Sequence, residues 1–256
     1  MAETRNYTIA AVDRALLVLE ALAEQPRQGV TELSKRLGLT KTIVFRLLST
    51  LEGRGFVIRD EGPVFSLGYR MGVLGEQAGA QNALLSAARP IMEKLRDDTT
   101  ENINLVIREG AQSLALATLA GQHNMRLYAN SGRYGPLHAG GGSMLLLAYA
   151  PDEMQETVLS GPLPRFTSAT SVEPEDLRGR LETIRTDGFN IAINDLDEGA
   201  FSIAAPIRNA SREVFAALSV AGAMVRYDEM TRRRHLELVQ SAAAEISGKL
   251  GLSYAA

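Results

Sequence analysis

Three consecutive glycines, Gly140-Gly141-Gly142, stand before Ser143 and an apolar run that reads as a helix over about 143–150. N–H groups at a helix start lack carbonyl partners and lie at its positive end, so this loop is either a carboxylate cradle or merely a turn. A second group is Lys41, Thr42, Phe45 and Arg46, which share one face of another helix. Charge, hydroxyl and aromatic together suit phosphates and base edges. Catalytic sets are missing by comparison. The absence of cysteine removes thiolate nucleophiles, thiolate metal sites and disulfides together. His123, His138 and His235 show no metal-ligand spacing. The glycines lack the lysine of a phosphate-binding loop, and Gly141-Gly142-Ser143-Met144-Leu145 lacks the closing glycine of a nucleophile elbow. Asp97-Asp98 and Asp195, Asp197 and Glu198 fall in turn-like, solvated segments, and a loop histidine such as His138 more commonly hydrogen-bonds its surroundings than acts as a base. The expectation is a chain without catalysis, cofactor or metal.

Charge separates the two ends. The whole chain carries -3, yet residues 28–59 hold six Lys or Arg (Lys35, Arg36, Lys41, Arg46, Arg54 and Arg59) against Glu32 and Glu52, a local +4. Residues 81–256 hold 17 basic and 21 acidic side chains. One end is built to meet phosphate and the remainder is not. No apolar run is long enough for a bilayer and no signal-peptide stretch follows Met1, so a cytoplasmic protein without a membrane partner is expected.

The elements around the first group form a pattern. Val12, Leu16, Leu19 and Ala23 recur at helical spacing, and Gln25-Pro26-Arg27-Gln28-Gly29 breaks that helix. Thr31 is placed to cap a short second helix that stops at Gly38, and Thr40 to cap a third. Ile43, Val44, Leu47, Leu48 and Leu51 fill the inner face of that third helix. A short helix, a tight turn and a two-sided helix read as a helix-turn-helix, or as a plain helical hairpin. Two β-rich runs, 55–59 and 64–67, flank the turn Asp60-Glu61-Gly62-Pro63 and make a wing, with Arg59 at its edge in reach of phosphate. The wing favours the DNA-binding reading.

The stretches Val12-Asp13-Arg14-Ala15-Leu16, Glu32 to Leu39, Lys41 to Leu48, Leu51 to Phe56 and Phe65-Ser66-Leu67-Gly68 resemble the IclR family of bacterial transcriptional regulators. The likeness spans nearly the whole chain. It implies DNA contact by Lys35, Arg36, Thr40, Lys41, Thr42, Phe45, Arg46 and Arg59, and a joining helix that contributes to dimer packing. Leu74 to Arg96 reads as helical, interrupted near Gly75, Gly79 and Pro90.

Beyond it, a hairpin-like pair (103–108 and 113–119), helices near 143–150, 153–159 and 174–187, three β-rich runs (189–193, 201–208 and 214–221) and a last helix over 228–250 suggest an α+β layer with a largely antiparallel sheet. The resemblance implies a GAF- or profilin-like effector domain, in which the Gly140–Ser143 loop closes one side of a pocket and Gly141 and Gly142 match backbone-donor positions. Ser143-Met144 stands where the family usually shows Gly-Lys. Across the pocket the resemblance implies Asp195 in an acidic turn, Ser202 facing the ligand and Leu127 as apolar wall, with Ala192 in place of the usual aspartate. Leu137 and Ile203 are expected as further apolar walls.

The expected fold is an N-terminal winged helix-turn-helix, mostly α with a β-hairpin wing, over 1–68, a helical linker over 69–82, and an α+β effector-binding and oligomerisation domain over 83–256. The expected function is a ligand-responsive transcriptional regulator of small-molecule metabolism. Its partners are double-stranded operator DNA, a small organic-acid-like effector and further copies of itself, as a dimer or dimer of dimers. The competing readings are a constitutive DNA-binding dimer, whose second domain only mediates assembly, and an enzyme fused to a DNA-binding domain.

Overall fold

The computed structural model describes residues 9–124 and 130–253. Leu127, an expected wall residue, lies outside them. The chain divides into two compact units, Met1–Gln81 and Asn82–Ala256.

The first unit runs α1 (Ala10–Glu24), β1 (Gln28–Gly29), α2 (Val30–Leu37), α3 (Lys41–Gly53), β2 (Val57–Arg59), β3 (Val64–Leu67) and α4 (Tyr69–Gln81). Its core joins Val18, Leu22, Leu33, Val44, Leu48, Val57 and Phe65. The expected face of α1 is not the buried one: Val12, Leu16 and Ala23 are exposed, while Val18, Ala21 and Leu22 are buried. Leu16-Leu17-Val18-Leu19 puts apolar side chains all round this helix, so spacing alone does not select a face; packing on α3 and β3 does. Gly29, rather than Thr31, caps α2, and Glu32 Oε2 accepts from Gly29 N at 2.8 Å. The wing hairpin pairs Val57 with Leu67 and Arg59 with Phe65. A third strand, β1, adds to β3 through Gln28 and Gly29, within the segment expected only to break a helix.

The second unit runs α5 (Ala83–Thr99), β4 (Asn102–Glu109), β5 (Gln112–Leu119), β6 (Tyr134–Pro136), α6 (Gly141–Ala148), α7 (Asp152–Leu159), α8 (Pro174–Asp187), β7 (Asn190–Ile193), β8 (Ala200–Arg208), β9 (Val214–Ala223) and α9 (Glu229–Ser253). The expected interruptions near Gly75, Gly79 and Pro90 are not where the helices break. They break at Asn82, whose Oδ1 accepts from Leu85 N at 3.1 Å and so starts α5 anew.

The sheet order is β6-β5-β4-β9-β8-β7, antiparallel at every pairing. Alternation along the strands divides the core in two. Ile103, Leu105, Ile203, Leu218 and Val220 pack under α5 and α9. Val106, Ala204 and Ala217 face the opposite layer, with Leu145, Leu177 and Leu181 of α6 and α8. The buried Glu101 carboxylate takes two bonds from Arg226, at 2.5 and 2.7 Å, tying the start of β4 to the turn after β9. Gly222 makes room for it, since a Cβ there would lie 2.5 Å from Glu101 Cδ.

Candidate DNA-reading face and effector cavity

The turn between α2 and α3 is fixed by local chemistry. Gly38 adopts φ +65°, and Ser34 O accepts from Leu39 N at 3.1 Å while Ser34 Oγ donates to Leu39 O at 2.6 Å. Thr40 Oγ1 then accepts from Ile43 N at 3.4 Å and starts α3. Val44, Leu48 and Leu51 are driven into the core, which turns Lys41, Thr42, Phe45, Arg46 and Ser49 outward. Phe45 is 51% exposed on this outer face, between Thr42 and Arg46. Lys35, Lys41 and Arg46 make no ion pair among the described residues, so their charge is available.

The two other arginines of the expected set are engaged. Arg36 pairs with Glu24 and donates to Ala21 O at 3.2 Å, at the C-terminal end of α1. Arg59 lies 3.4 Å from Glu52 and over the Phe65 ring, 4.9 Å from its centroid. Arg36 therefore braces the fold, and Arg59 is held at the wing edge with about half its side chain exposed.

In the second unit a cavity of about 350 Å³ opens beside the N-terminus of α6. Gly140 holds φ +89°, and Met144 N is the first to reach back, to Gly140 O at 3.1 Å. The N–H groups of Gly141, Gly142 and Ser143 thus have no carbonyl within α6, and all three residues line the cavity. Close approach requires glycine at 141 and leaves little room at 142. A Cβ on Gly141 would lie 2.5 Å from Ser202 Oγ, and one on Gly142 would lie 3.2 Å from Val106 Cγ2.

Ser202 lines the cavity opposite Gly141. Asp195 also borders it, but its carboxylate has work elsewhere: Oδ2 accepts from Gly140 N at 3.2 Å and lies 3.7 Å from Arg180. Its carbonyl accepts from Thr170 Oγ1 at 2.6 Å. Asn190 Nδ2 donates to Gly141 O at 2.9 Å, and Ser143 Oγ donates to Ser113 Oγ at 2.8 Å. The glycine loop is therefore clamped by neighbouring side chains at the edge of the cavity that Gly141, Gly142 and Ser143 line.

Two expected walls are corrected. Ile203 follows Ser202 on β8 and so points to the other side of the sheet, under α9. Leu137 is buried against α6 and does not line the cavity. The floor that sequence reasoning missed is polar: Asn102 and Asn104 on β4, Thr118 on β5 and Ser219 on β9. A signal was present, because Asn102-Ile103-Asn104-Leu105 alternates polar and apolar in a strand whose two faces are both covered. His138 is buried, with Nε2 3.0 Å from Pro164 O. Among the described residues no group of three His, Asp or Glu is placed to hold a metal, and no helix is long and apolar enough to cross a membrane.

A winged helix-turn-helix with an outward basic face, followed by a domain enclosing a small cavity, defines a one-component DNA-binding regulator. Comparison with known proteins agrees. Residues 11–61 match the IclR helix-turn-helix domain and residues 77–248 match the bacterial transcriptional regulator IclR C-terminal domain, so the chain belongs to the IclR family. It is 29% identical to the HTH-type transcriptional regulator KipR of Bacillus subtilis, across 97% of this chain and 99% of that protein. It is 31% identical to BhcR of Paracoccus denitrificans, across 93% and 86%. Among solved structures, an IclR homologue from Microbacterium hydrocarbonoxydans complexed with 4-hydroxybenzoate superposes with a TM-score of 0.83 at 28% identity, covering 94% of this chain and 98% of that one. The fold is also that of a regulator from Alicyclobacillus acidocaldarius (TM-score 0.89, 24% identity, 96% and 100% covered). The chain is a ligand-responsive transcriptional regulator and not an enzyme.

Proposed function

We propose that this regulator reads operator DNA with the outer face of α3 and answers to a small organic acid bound at the N-terminus of α6. Lys41, Thr42, Phe45 and Arg46 meet the major groove, Lys35 and Arg59 meet phosphate, and the protein works in the cytoplasm as a dimer or dimer of dimers. One recognition helix reads too few base pairs for useful specificity, and paired half-sites remedy that. The genes under its control belong to small-molecule metabolism, the carbon source being the natural signal.

The observation that carries the effector reading is the start of α6, where Gly141, Gly142 and Ser143, whose N–H groups lack partners within the helix, line a half-open cavity across from Ser202. Orphan N–H groups at a positive helix end favour an anion, and the Microbacterium homologue holds an acid. A domain that served assembly alone would have no use for such a cavity. Ligand binding shifts DNA affinity only as far as the acid prefers one state of the regulator over another. A panel of small carboxylates, scored by thermal stabilisation and then by release from or recruitment to operator DNA, tests the reading. It fails if no carboxylate raises the melting temperature.

A further inference from the structure

The floor of the α6 cavity has a regular chemistry of its own. In the sheet register Thr118 of β5, Asn104 of β4 and Ser219 of β9 lie side by side in one row. In the next row toward the start of β4, Asn102 faces Ala221, which in turn faces Ser202 of β8. All of these line the cavity. Some of the polar atoms are already used: Thr118 Oγ1 donates to Asn104 Oδ1 at 3.1 Å, and Asn102 Oδ1 accepts from Gly121 N at 2.7 Å. Others are not. Among the described residues nothing hydrogen-bonds to Asn104 Nδ2, Ser202 Oγ or Ser219 Oγ, although Ser219 is only 2% exposed.

Ser219 is buried and Asn104 and Ser202 are half-buried. Polar groups withdrawn from solvent are nearly always partnered, so three unpartnered ones lining one cavity call for a ligand that supplies the partners. Asn104 Nδ2 needs acceptors, and each serine hydroxyl both donates and accepts. A ligand hydroxyl serves all of them, whereas a flat apolar ring on this floor seals them off unpaired. Each such loss weakens binding about tenfold. The neighbouring Ala115 and Ala221 are too small to grip a ring, and the cavity's size of about 350 Å³ suits a compact chain.

We propose that the effector is a hydroxylated aliphatic acid, of the kind formed by oxidising a sugar, with its carboxylate on the α6 amides and its hydroxyls on Asn104, Ser202 and Ser219. This rests on the carboxylate site described above. The acid lies across the strands, from Gly141 and Gly142 toward the β4–β9 row, and discriminates against aromatic acids of similar size.

The test uses the full-length protein in thermal-shift assays and calorimetry. The hydroxylated acids are glycerate, threonate, gluconate and galacturonate; hexanoate, 4-hydroxybenzoate and the uncharged polyol glucitol are the comparators. At least one hydroxylated acid is expected to bind about tenfold or more tightly than hexanoate and 4-hydroxybenzoate. Ser219→Ala should weaken that acid about tenfold and leave hexanoate binding unchanged, its unliganded melting temperature serving as the folding control. If that variant is unfolded, Ser202→Ala is read in the same way. Tightest binding by hexanoate or 4-hydroxybenzoate overturns the hydroxylated class while leaving the carboxylate site standing. Equal binding of glucitol and gluconate removes the carboxylate site, and silence from every acid removes both. A hydroxylated acid indifferent to the serine variants also overturns the assignment.

Discussion

The carboxylate of Asp195 and the backbone N–H of Gly140 meet at 3.2 Å, although 55 residues separate them in the chain. Asp195 is 5% exposed, and its carbonyl holds Thr170 while its carboxylate also approaches Arg180. One residue thus ties the glycine loop to the segment around Thr170 and Phe166, which borders the same cavity. Such a residue positions the glycine loop at the edge of the cavity.

Asp195→Ala should therefore cost stability first. It leaves the buried Gly140 N–H unpaired, a loss of about 1–3 kcal/mol. Asp195→Asn keeps an acceptor for Gly140 and loses only the charge facing Arg180, so it should fall between wild type and the alanine variant. Thermal denaturation of the three proteins ranks them. An alanine variant as stable as wild type would show that the clamp does not matter.

Gly141 and Ser202 make a sharper case. A Cβ on Gly141 collides with the Ser202 side chain, so Gly141→Ala should destabilise by about 1–3 kcal/mol and distort the α6 amides. Removing the obstacle with Ser202→Gly in the same chain should recover part of that loss, because it takes away the two nearest atoms, Oγ at 2.5 Å and Cβ at 2.9 Å, and leaves the Ser202 carbonyl at 3.1 Å. The double-mutant cycle should give a coupling of about 0.5–3 kcal/mol. Additive effects would mean that the two residues do not press on each other in solution.

On the DNA-reading face the engaged and the free arginines should part company. Arg46→Ala should weaken binding to an operator selected from random duplexes by about 1–3 kcal/mol. Arg59→Ala should weaken selected and random duplexes alike and flatten the salt dependence, as a phosphate contact does. Arg36→Ala should leave DNA affinity nearly intact and lower stability by no more than about 1 kcal/mol, the range of an exposed ion pair. Fluorescence anisotropy over a salt series separates these outcomes. Equal losses for Arg36→Ala and Arg46→Ala would contradict the division of labour.

The helix-turn-helix was legible because its signals are local: Gly38 and Thr40 lie two residues apart, and each stops or starts a helix by its own backbone or side chain. The cavity was legible only in part. Gly141 and Gly142 announce a helix start, but the Gly140–Asp195 bond and the Asn104–Ser219 row depend on which strands become neighbours, and that is set by tertiary packing. Ile203 cannot share the cavity with Ser202, because strand alternation turns neighbouring side chains of β8 to opposite faces. On α1 the error had another source, since apolar residues on every side leave the buried face to be chosen by what packs against it.

His235 offers a prediction that the sequence did not raise. It lies in α9, is 5% exposed, stacks near Phe201 with ring centroids 6.1 Å apart, and its Nδ1 has no hydrogen-bond partner among the described residues. Burial lowers its pKa below the usual 6.5, outweighing the opposing attraction of Glu101, while Arg234 lowers it further. The sign follows from linkage. The folded protein holds the neutral ring more strongly than the unfolded chain does, so its stability is greatest above pH 6.5 and falls as acid protonates the unfolded state first. The loss continues down to the lowered folded pKa and then levels off for this group. His235→Leu, close in size and unable to titrate, should flatten the fall in stability below pH 6.5 while leaving the acid loss from carboxylates in place. Urea unfolding of both proteins across that range gives the difference directly. Parallel curves for the two would mean that the ring finds a partner, such as a trapped water, and does not titrate abnormally.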